Sequence, residues 1–250
     1  MEKRHIETKN GKIQVWFAQQ GPKLAVYHHG VPKPRELSTA ELAAFAKHGY
    51  SVAAIVRPGY LESAASPAPA NMADIAEIIA AVIGELGFES YLAVGFSGGG
   101  PRALANVALA PMATAAILVG SVAAPNLDFD YFGVMPDDER EFMEAVRDNG
   151  RGLLPQFEKW AAATPEFDHG TVGWVDDEIS MLTPWGYDLA DVARPVVLLA
   201  SKDDQNVPYS HSQWLNGKLA TSRLIEIPGS DHDALMSGAT LDMALNLLAE

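Results

Sequence analysis

The sequence predicts an α/β chain with a mostly parallel central sheet and helices on both of its faces. Three observations predict it. Apolar runs of strand length at 24–28, 50–56, 91–96, 114–120 and 195–200 alternate with helical stretches, and near-continuous apolar strands separated by helices mean a parallel sheet with covered faces. The runs end in turn-forming residues such as Gly, Pro and Asp. At 250 residues, 48% hydrophobic and 20% charged, the chain is long enough for one large domain with a sizeable core or two small ones, and length alone prefers neither; the alternation running through the chain reads residues 1–250 as one domain.

The elements follow in order. Two β-rich runs, 4–9 and 12–19, flank Asn10-Gly11, the residue pair of a type I′ hairpin, and predict an antiparallel edge to the sheet. The strand at 24–28 ends at His29-Gly30-Val31-Pro32. Ser38-Thr39-Ala40-Glu41 has the spacing of a capping box and opens a helix that continues through Leu42, Phe45 and Ala46 and closes at Gly49. The next strand, 50–56, is followed by the turn Arg57-Pro58-Gly59-Tyr60. Ala64 to Ala70 is an Ala/Ser/Pro-rich loop, and 71–86 is a broadly apolar helix ending at Gly87. After the strand at 114–120 the rhythm breaks: residues 122–191 carry Phe129, Tyr131, Phe132, Met135, Phe142, Met143, Phe157, Trp160, Trp174, Met181 and Trp185 among acids, with helical patterns at 137–145 and 154–163. This insertion, placed after the sixth strand, is expected to be a lid. Sheet rhythm resumes at 195–200, then a helix at 209–219, a strand at 223–227 and a closing helix at 234–248.

Composition narrows the chemistry. The absence of cysteine removes disulfides, thiolate metal sites and a cysteine nucleophile, which leaves serine. A net charge of −14 argues against nucleic acid or an anionic membrane as partner. No apolar run is long enough to span a bilayer and Met1-Glu2-Lys3-Arg4-His5 lacks a signal-peptide core, so a cytoplasmic location is expected. No cofactor or metal is expected; the partner is a small-molecule substrate, and the oligomeric state is left open.

The chemistry concentrates at Gly95-Phe96-Ser97-Gly98-Gly99, which fits G-x-S-x-G at a strand-to-helix turn. A serine presented to substrate on so sharp a turn needs glycine two residues before and two after it, and the helix start behind it offers free N–H groups and a positive dipole end. Gly98 to Ala103 also satisfies G-x-G-x-x-A loosely, but no acid stands about 20 residues on, where Gly120-Ser121 lies, so a dinucleotide site is disfavoured. A P-loop is excluded because Gly-Lys-Ser/Thr is missing.

Serine after one strand, acid after a later strand and histidine after the last place Ser97, Asp204 and His232 at the carboxyl ends of parallel strands, one edge of the sheet. Asp203 competes with Asp204 for the acid. With His29-Gly30, Arg57-Pro58-Gly59-Tyr60, the elbow, Asp204…Val207-Pro208 and Pro228-Gly229…His232, the chain resembles the α/β-hydrolase fold superfamily, in particular its small serine esterases with an inserted helical cap. The resemblance covers nearly the whole chain. It implies Ser97 as nucleophile, His232 as general base, Asp204 as the acid that orients it, and the N–H groups of Val31 and Gly98 as the oxyanion hole. It selects Asp204 over Asp203, because the family's acid stands four residues before the proline. Gly30, Phe96 and the lid residues Trp160 and Trp185 are the expected substrate contacts; His28, His29 and His211 are expected to be structural, and Asp231 and Asp233 to lie on the surface. Leu61-Glu62 stands where many relatives have glycine, and Val56 where they have aspartate, which is expected to alter a loop bordering the site. The implied reaction is hydrolysis of a carboxylic ester, lactone or thioester of a small, apolar substrate. Carbon–carbon bond hydrolysis, cofactor-free peracid formation and a non-turning-over ligand receptor are the alternatives on the same scaffold.

Overall fold

The computed structural model describes residues 1–69, 71–125, 128–133, 135 and 137–249. Ala70, at the end of the expected Ala/Ser/Pro-rich loop, and Asn126, Leu127, Val134 and Pro136, within the expected insertion, lie outside the described residues, as does Glu250.

The chain begins with a hairpin, β1 (Glu2–Thr8) and β2 (Gly11–Ala18), paired antiparallel with Thr8 opposite Gly11. The hairpin is as expected but its turn is not type I′. Both central residues of such a turn need positive φ; with Thr8 opposite Gly11 they are Lys9 and Asn10, neither of which has positive φ, while Gly11, at +104°, already belongs to the second strand. The turn is held instead by Thr8, whose Oγ1 accepts from Asn10 N (3.2 Å) and donates to Gly11 O (2.7 Å).

The alternation then runs as read: β3 (Lys23–His28), α1 (Thr39–Lys47), β4 (Tyr50–Ile55), α2 (Ile75–Leu86), β5 (Tyr91–Phe96), α3 (Gly100–Leu109) and β6 (Ala113–Val119). Helix α1 starts at the expected box: Ser38 Oγ accepts from Glu41 N, and Ser38 N donates to Glu41 Oε2 at 2.6 Å. Between β6 and β7 (Val196–Ala200) lie α4 (Asp137–Asn149), α5 (Leu154–Ala163) and α6 (Thr171–Leu182); the first two fall on the patterned stretches and α6 was not anticipated. The chain ends with α7 (Tyr209–Lys218), β8 (Ser222–Glu226), α8 (His232–Leu235) and α9 (Gly238–Ala249). The single closing helix expected over 234–248 is thus two. Ser237 and Thr240 break it: Thr240 Oγ1 donates to Leu235 O at 2.5 Å while Ser237 N donates to Thr240 Oγ1 at 3.1 Å, diverting the groups a continuous helix would use.

The eight strands form one sheet in the order β1-β2-β4-β3-β5-β6-β7-β8. Pairing is antiparallel from β1 to β4 and parallel from β4 through β8. Alternate residues of each strand feed two cores. Leu24, Val26, Ala93, Leu118 and Leu198 pack with Ile78, Ile79, Val82, Leu104 and Leu215 on one face. Ala25, Tyr27, Val94, Val119 and Leu199 pack with Phe45, Ala44, Leu241 and Leu245 on the other. The register sets His28 beside Gly95, Phe96 beside Val119, Val119 beside Leu199 and Ala200 beside Glu226. The loops after β3, β5, β6, β7 and β8 therefore leave the sheet along one edge, the edge at which parallel sheets bind ligands. Among the described residues no helix is long and apolar enough to cross a membrane.

Candidate active site

At that edge β5 ends in a turn at Ser97, whose φ is +53°, a left-handed conformation costing an L-residue about 1–2 kcal/mol. The turn is tight because two glycines permit it. A Cβ on Gly95 would lie 2.4 Å from Gly99 O, and one on Gly99 would lie 2.2 Å from His28 O. Ser97–Gly99 continues as a 3₁₀ turn into α3, with Pro101 in its first turn, so the serine sits at the start of a helix, where N–H groups and the dipole favour negative charge.

Asp204 follows β7 and is 5% exposed. Its Oδ2 accepts from His232 Nδ1 at 2.7 Å, and its Oδ1 accepts from the backbone N–H groups of Asn206 and Val207 at 2.8 and 2.9 Å. Burial pushes this carboxyl upward, but the His232 bond, the two N–H groups and the His232 charge outweigh it and hold the pKa below the usual range. Asp203 is exposed, and its Oδ2 accepts from Gly229 N. His232 opens α8, capped by Asp231, whose Oδ1 accepts from Ala234 N. Gly120 makes room for the pair: at φ +53°, a Cβ there would lie 3.0–3.3 Å from the His232 ring and Asp204 Oδ2. The Phe96 ring lies 4.8 Å, centroid to centroid, from the imidazole.

One cavity of about 470 Å³ is lined by Ser97 and His232 together with Gly30, Val31, Phe96 and Gly98. Ser97 Oγ makes no hydrogen bond among the described residues, so Ser97 and His232 share the cavity, with Asp204 behind the imidazole, without the serine–histidine bond being closed; catalytic hydrogen bonds commonly tighten only when substrate binds. Trp160 and Trp185 do not line it, which corrects the expectation for both. Trp160 belongs to the insertion's own aromatic core, 5.3 Å from Phe142 and 5.2 Å from Phe157. Trp185 lies 5.8 Å from Tyr187 and borders a different depression. From the insertion, Met135, Phe142, Met143, Phe167, Glu178 and Met181 reach the cavity instead. His211 also lines it. Its Nδ1 accepts from Ala123 N at 3.0 Å, Phe129 and Tyr131 pack edge-on to its ring, and burial pushes its pKa down to about 4. Leu61 and Glu62 do not border the cavity: Glu62 pairs with Lys3 and His5 on the surface. Among the described residues no cluster of three or more His, Asp or Glu is arranged to hold a metal ion.

Residues 25–242 match the alpha/beta hydrolase family model. The chain belongs to the alpha/beta hydrolase family. A curated member, the bifunctional esterase/perhydrolase of Acinetobacter calcoaceticus, is 26% identical over 255 aligned positions, 91% of this chain and 92% of that one. Among solved structures, an esterase from Exiguobacterium antarcticum superposes with a TM-score of 0.76 at 21% identity, covering 100% of both chains. A bromoperoxidase from Bacillus anthracis gives 0.76 at 17%, covering 99% of both. At such identities these structures speak for the fold alone.

Behind the loops of this α/β-hydrolase lies a buried charge cluster. Arg57 Nη1 donates to His29 O at 2.6 Å and Nη2 to Gly30 O at 3.1 Å; its Nε and Nη2 donate to Asp177 Oδ2 at 2.9 and 2.5 Å. Arg102 Nη1 donates to Gly98 O at 2.7 Å, while its Nη2 donates to Asp177 Oδ1 at 2.6 Å and to Ser180 Oγ at 2.7 Å. Tyr60 OH donates to Asp177 Oδ2 at 2.9 Å. Burial, reinforced by the neighbouring Arg57, brings Arg102 down to about 10 despite Asp177, and burial with the Asp177 charge pushes Tyr60 well up. In the sequence Arg57 and Tyr60 stand in a turn that belongs to the resemblance motifs but carries no role of its own, and Arg102 and Asp177 carry no expectation. The one available signal was the acidic run Asp176-Asp177-Glu178 inside an aromatic segment.

Proposed function

We propose that the protein is a serine hydrolase that cleaves a carboxylic ester of a small substrate, or a lactone or thioester, through an acyl-Ser97 intermediate. The observation that carries this reading is that His232, bonded at 2.7 Å to the buried Asp204, lines the same cavity as a serine held at φ +53°. In this mechanism His232 takes the proton of Ser97 as the oxygen attacks the carbonyl, then returns it to the leaving alcohol. Asp204, held ionised by its three donors, keeps Nδ1–H oriented and offsets the imidazolium charge. The N–H groups of Val31 and Gly98 receive the oxyanion, and Val31 N–H makes no hydrogen bond among the described residues. Water activated by His232 then attacks the acyl ester and frees Ser97.

Residues 122–191 act as a lid within a single domain, with Phe142, Met143, Phe167 and Met181 offering the apolar wall for the acyl group. Perhydrolysis is the second reading, favoured by the curated relative being a bifunctional esterase/perhydrolase; hydrogen peroxide replaces water in the second step, and the products are a peracid and free Ser97.

Stopped-flow hydrolysis of p-nitrophenyl acetate and butanoate tests the first reading: a burst of about one p-nitrophenol per chain is expected, and Ser97→Ala abolishes it. Turnover that survives Ser97→Ala contradicts the assignment, and tight ligand binding without turnover on any ester makes the protein a receptor. Peracid formation from acetate and hydrogen peroxide decides the second.

A further inference from the structure

The charge cluster behind the loops is arranged around one carboxylate. Asp177, 5% exposed on α6 of the insertion, is shared by two buried guanidinium groups, Arg57 and Arg102. Each arginine also donates to backbone carbonyl oxygen in a loop that carries one of the proposed oxyanion donors, and Arg102 donates to Ser180 Oγ as well. Arg57 holds His29 O and Gly30 O; Arg102 holds Gly98 O. The neutral His29 ring adds to the first grip, since its Nδ1 donates to Gly30 O at 2.6 Å.

The geometry of a trans peptide turns that grip into orientation. C=O and N–H of one peptide unit point in opposite directions, and the bond between Gly30 and Val31 is trans. Fixing Gly30 O on the Arg57 side therefore aims Val31 N–H the other way, and Val31 lines the catalytic cavity. Gly98 O belongs to the next peptide unit along the elbow, so Arg102 fixes the backbone immediately after the Gly98 N–H. Neither arginine faces the substrate with a free donor; both act through the main chain. Without the carboxylate, two buried guanidinium groups would be left side by side with no counter-charge, an arrangement that must relax by moving one of them and the carbonyls it holds.

We propose that Asp177 is a positioning residue for oxyanion stabilisation: by clamping Arg57 and Arg102 it aligns the Val31 and Gly98 donors, and because it sits on α6 it makes the docking of the insertion a condition for a competent oxyanion hole. This inference rests on the serine-hydrolase reading above. It adds a residue from the insertion, contributed from 80 positions beyond the elbow serine, to the working parts of the site.

The test is Asp177→Asn, which keeps size and polarity and removes the charge, measured in the full chain by ester kinetics and by inhibition with phenylboronic acid, whose serine adduct places an oxygen in the oxyanion hole. Loss of aligned oxyanion donors lowers kcat by about 10²-fold, leaves KM within about threefold because ground-state binding is not addressed, and weakens boronate binding in parallel with kcat/KM. A purely structural role predicts a loss of folded protein with an unchanged kcat per active site, the sites being counted by fluorophosphonate titration. Arg57→Gln, which leaves Asp177 balanced by Arg102 alone, is expected to give the same split and serves if Asp177→Asn does not fold. Unchanged kcat in folded Asp177→Asn, or a rise in KM alone, overturns the proposal, as does a fall in kcat with undiminished boronate affinity. Wild-type protein that hydrolyses no ester overturns the serine-hydrolase reading and this proposal with it; an active wild type with an equally active variant overturns this proposal alone.

Discussion

At the scale of single residues, the choice between two adjacent aspartates decides the mechanism. Asp204 spends both carboxylate oxygens inside the fold, one on His232 and one on two backbone N–H groups, whereas Asp203 reaches only Gly229 N from an exposed position. Replacing Asp204 by Asn lets the amide donate where the imidazole must donate, which favours the wrong tautomer. Asp204→Asn is therefore expected to lower kcat by roughly 10³–10⁴-fold, and Asp203→Asn to leave it within about threefold, since surface changes away from the working groups have small effects. Steady-state kinetics on p-nitrophenyl butanoate checks both, and the reverse order transfers the role to Asp203. Ser97, Asp204 and His232 were legible in the sequence because each stands just after an apolar run, a position that topology converts into one edge of the sheet. Trp160 and Trp185 were not, because an aromatic residue in an insertion is as well used for the insertion's own packing. Trp160 packs against Phe142, Phe157 and Trp174, and nothing in the local pattern separates that use from a substrate wall.

Among the elements, legibility followed the strength of the local signal. Helix α1 announces itself by Ser38 and Glu41, and α5 begins and ends within the patterned stretch that predicted it. Helix α6 does not: Thr-Val-Gly-Trp-Val-Asp-Asp-Glu-Ile-Ser-Met-Leu contains a glycine, four β-branched residues and three consecutive acids, a sequence with little intrinsic helical preference. Tertiary contacts hold it. Trp174 packs at 4.8 Å on Phe157 of α5, Asp177 accepts from Arg57 after β4 and Arg102 of α3, and Ser180 accepts from Arg102. Stability that comes from long-range packing leaves no periodic trace, which is why an element that lines the cavity with Glu178 and Met181 was missed. In the hairpin turn the deciding contact is local instead: the Thr8 side chain bonds Asn10 N and Gly11 O, an interaction that the Asn10-Gly11 pair does not announce.

For the whole molecule, the buried histidines predict how stability depends on pH. Burial lowers the pKa of His28 and His29 well below the ordinary value, with the charges of Arg57 and Arg102 adding to the shift, and lowers that of His211 to about 4 against a partial opposing pull from Asp204. In the unfolded chain these groups take up protons near 6.5. The folded state resists protonation, so the unfolded state binds more protons as pH falls from about 6.5 towards 4, and stability declines over that window. Each histidine contributes up to about 1.4 kcal/mol per pH unit. Above about pH 7 both states hold them neutral and the contribution is constant. Urea unfolding at pH 7.5, 6 and 5 measures this; a midpoint that is flat across the series contradicts it, and in His211→Phe the slope is expected to fall by about one proton. The antiparallel edge, the parallel remainder of the sheet and its two covered faces were foreseeable from the Asn10-Gly11 signal and the apolar runs; the strand order was not. The salt-bridged cluster behind the site was not, because its members lie 45 and 75 residues apart along the chain at Arg57, Arg102 and Asp177.

The central claim is that Ser97 is a nucleophile activated by the His232–Asp204 pair, and intact-mass and peptide mass spectrometry after a fluorophosphonate probe tests it most directly. The expected result is one adduct per chain, located on Ser97, absent in Ser97→Ala and formed far more slowly in His232→Ala. An unlabelled wild-type chain, or an adduct on any other residue, would contradict it.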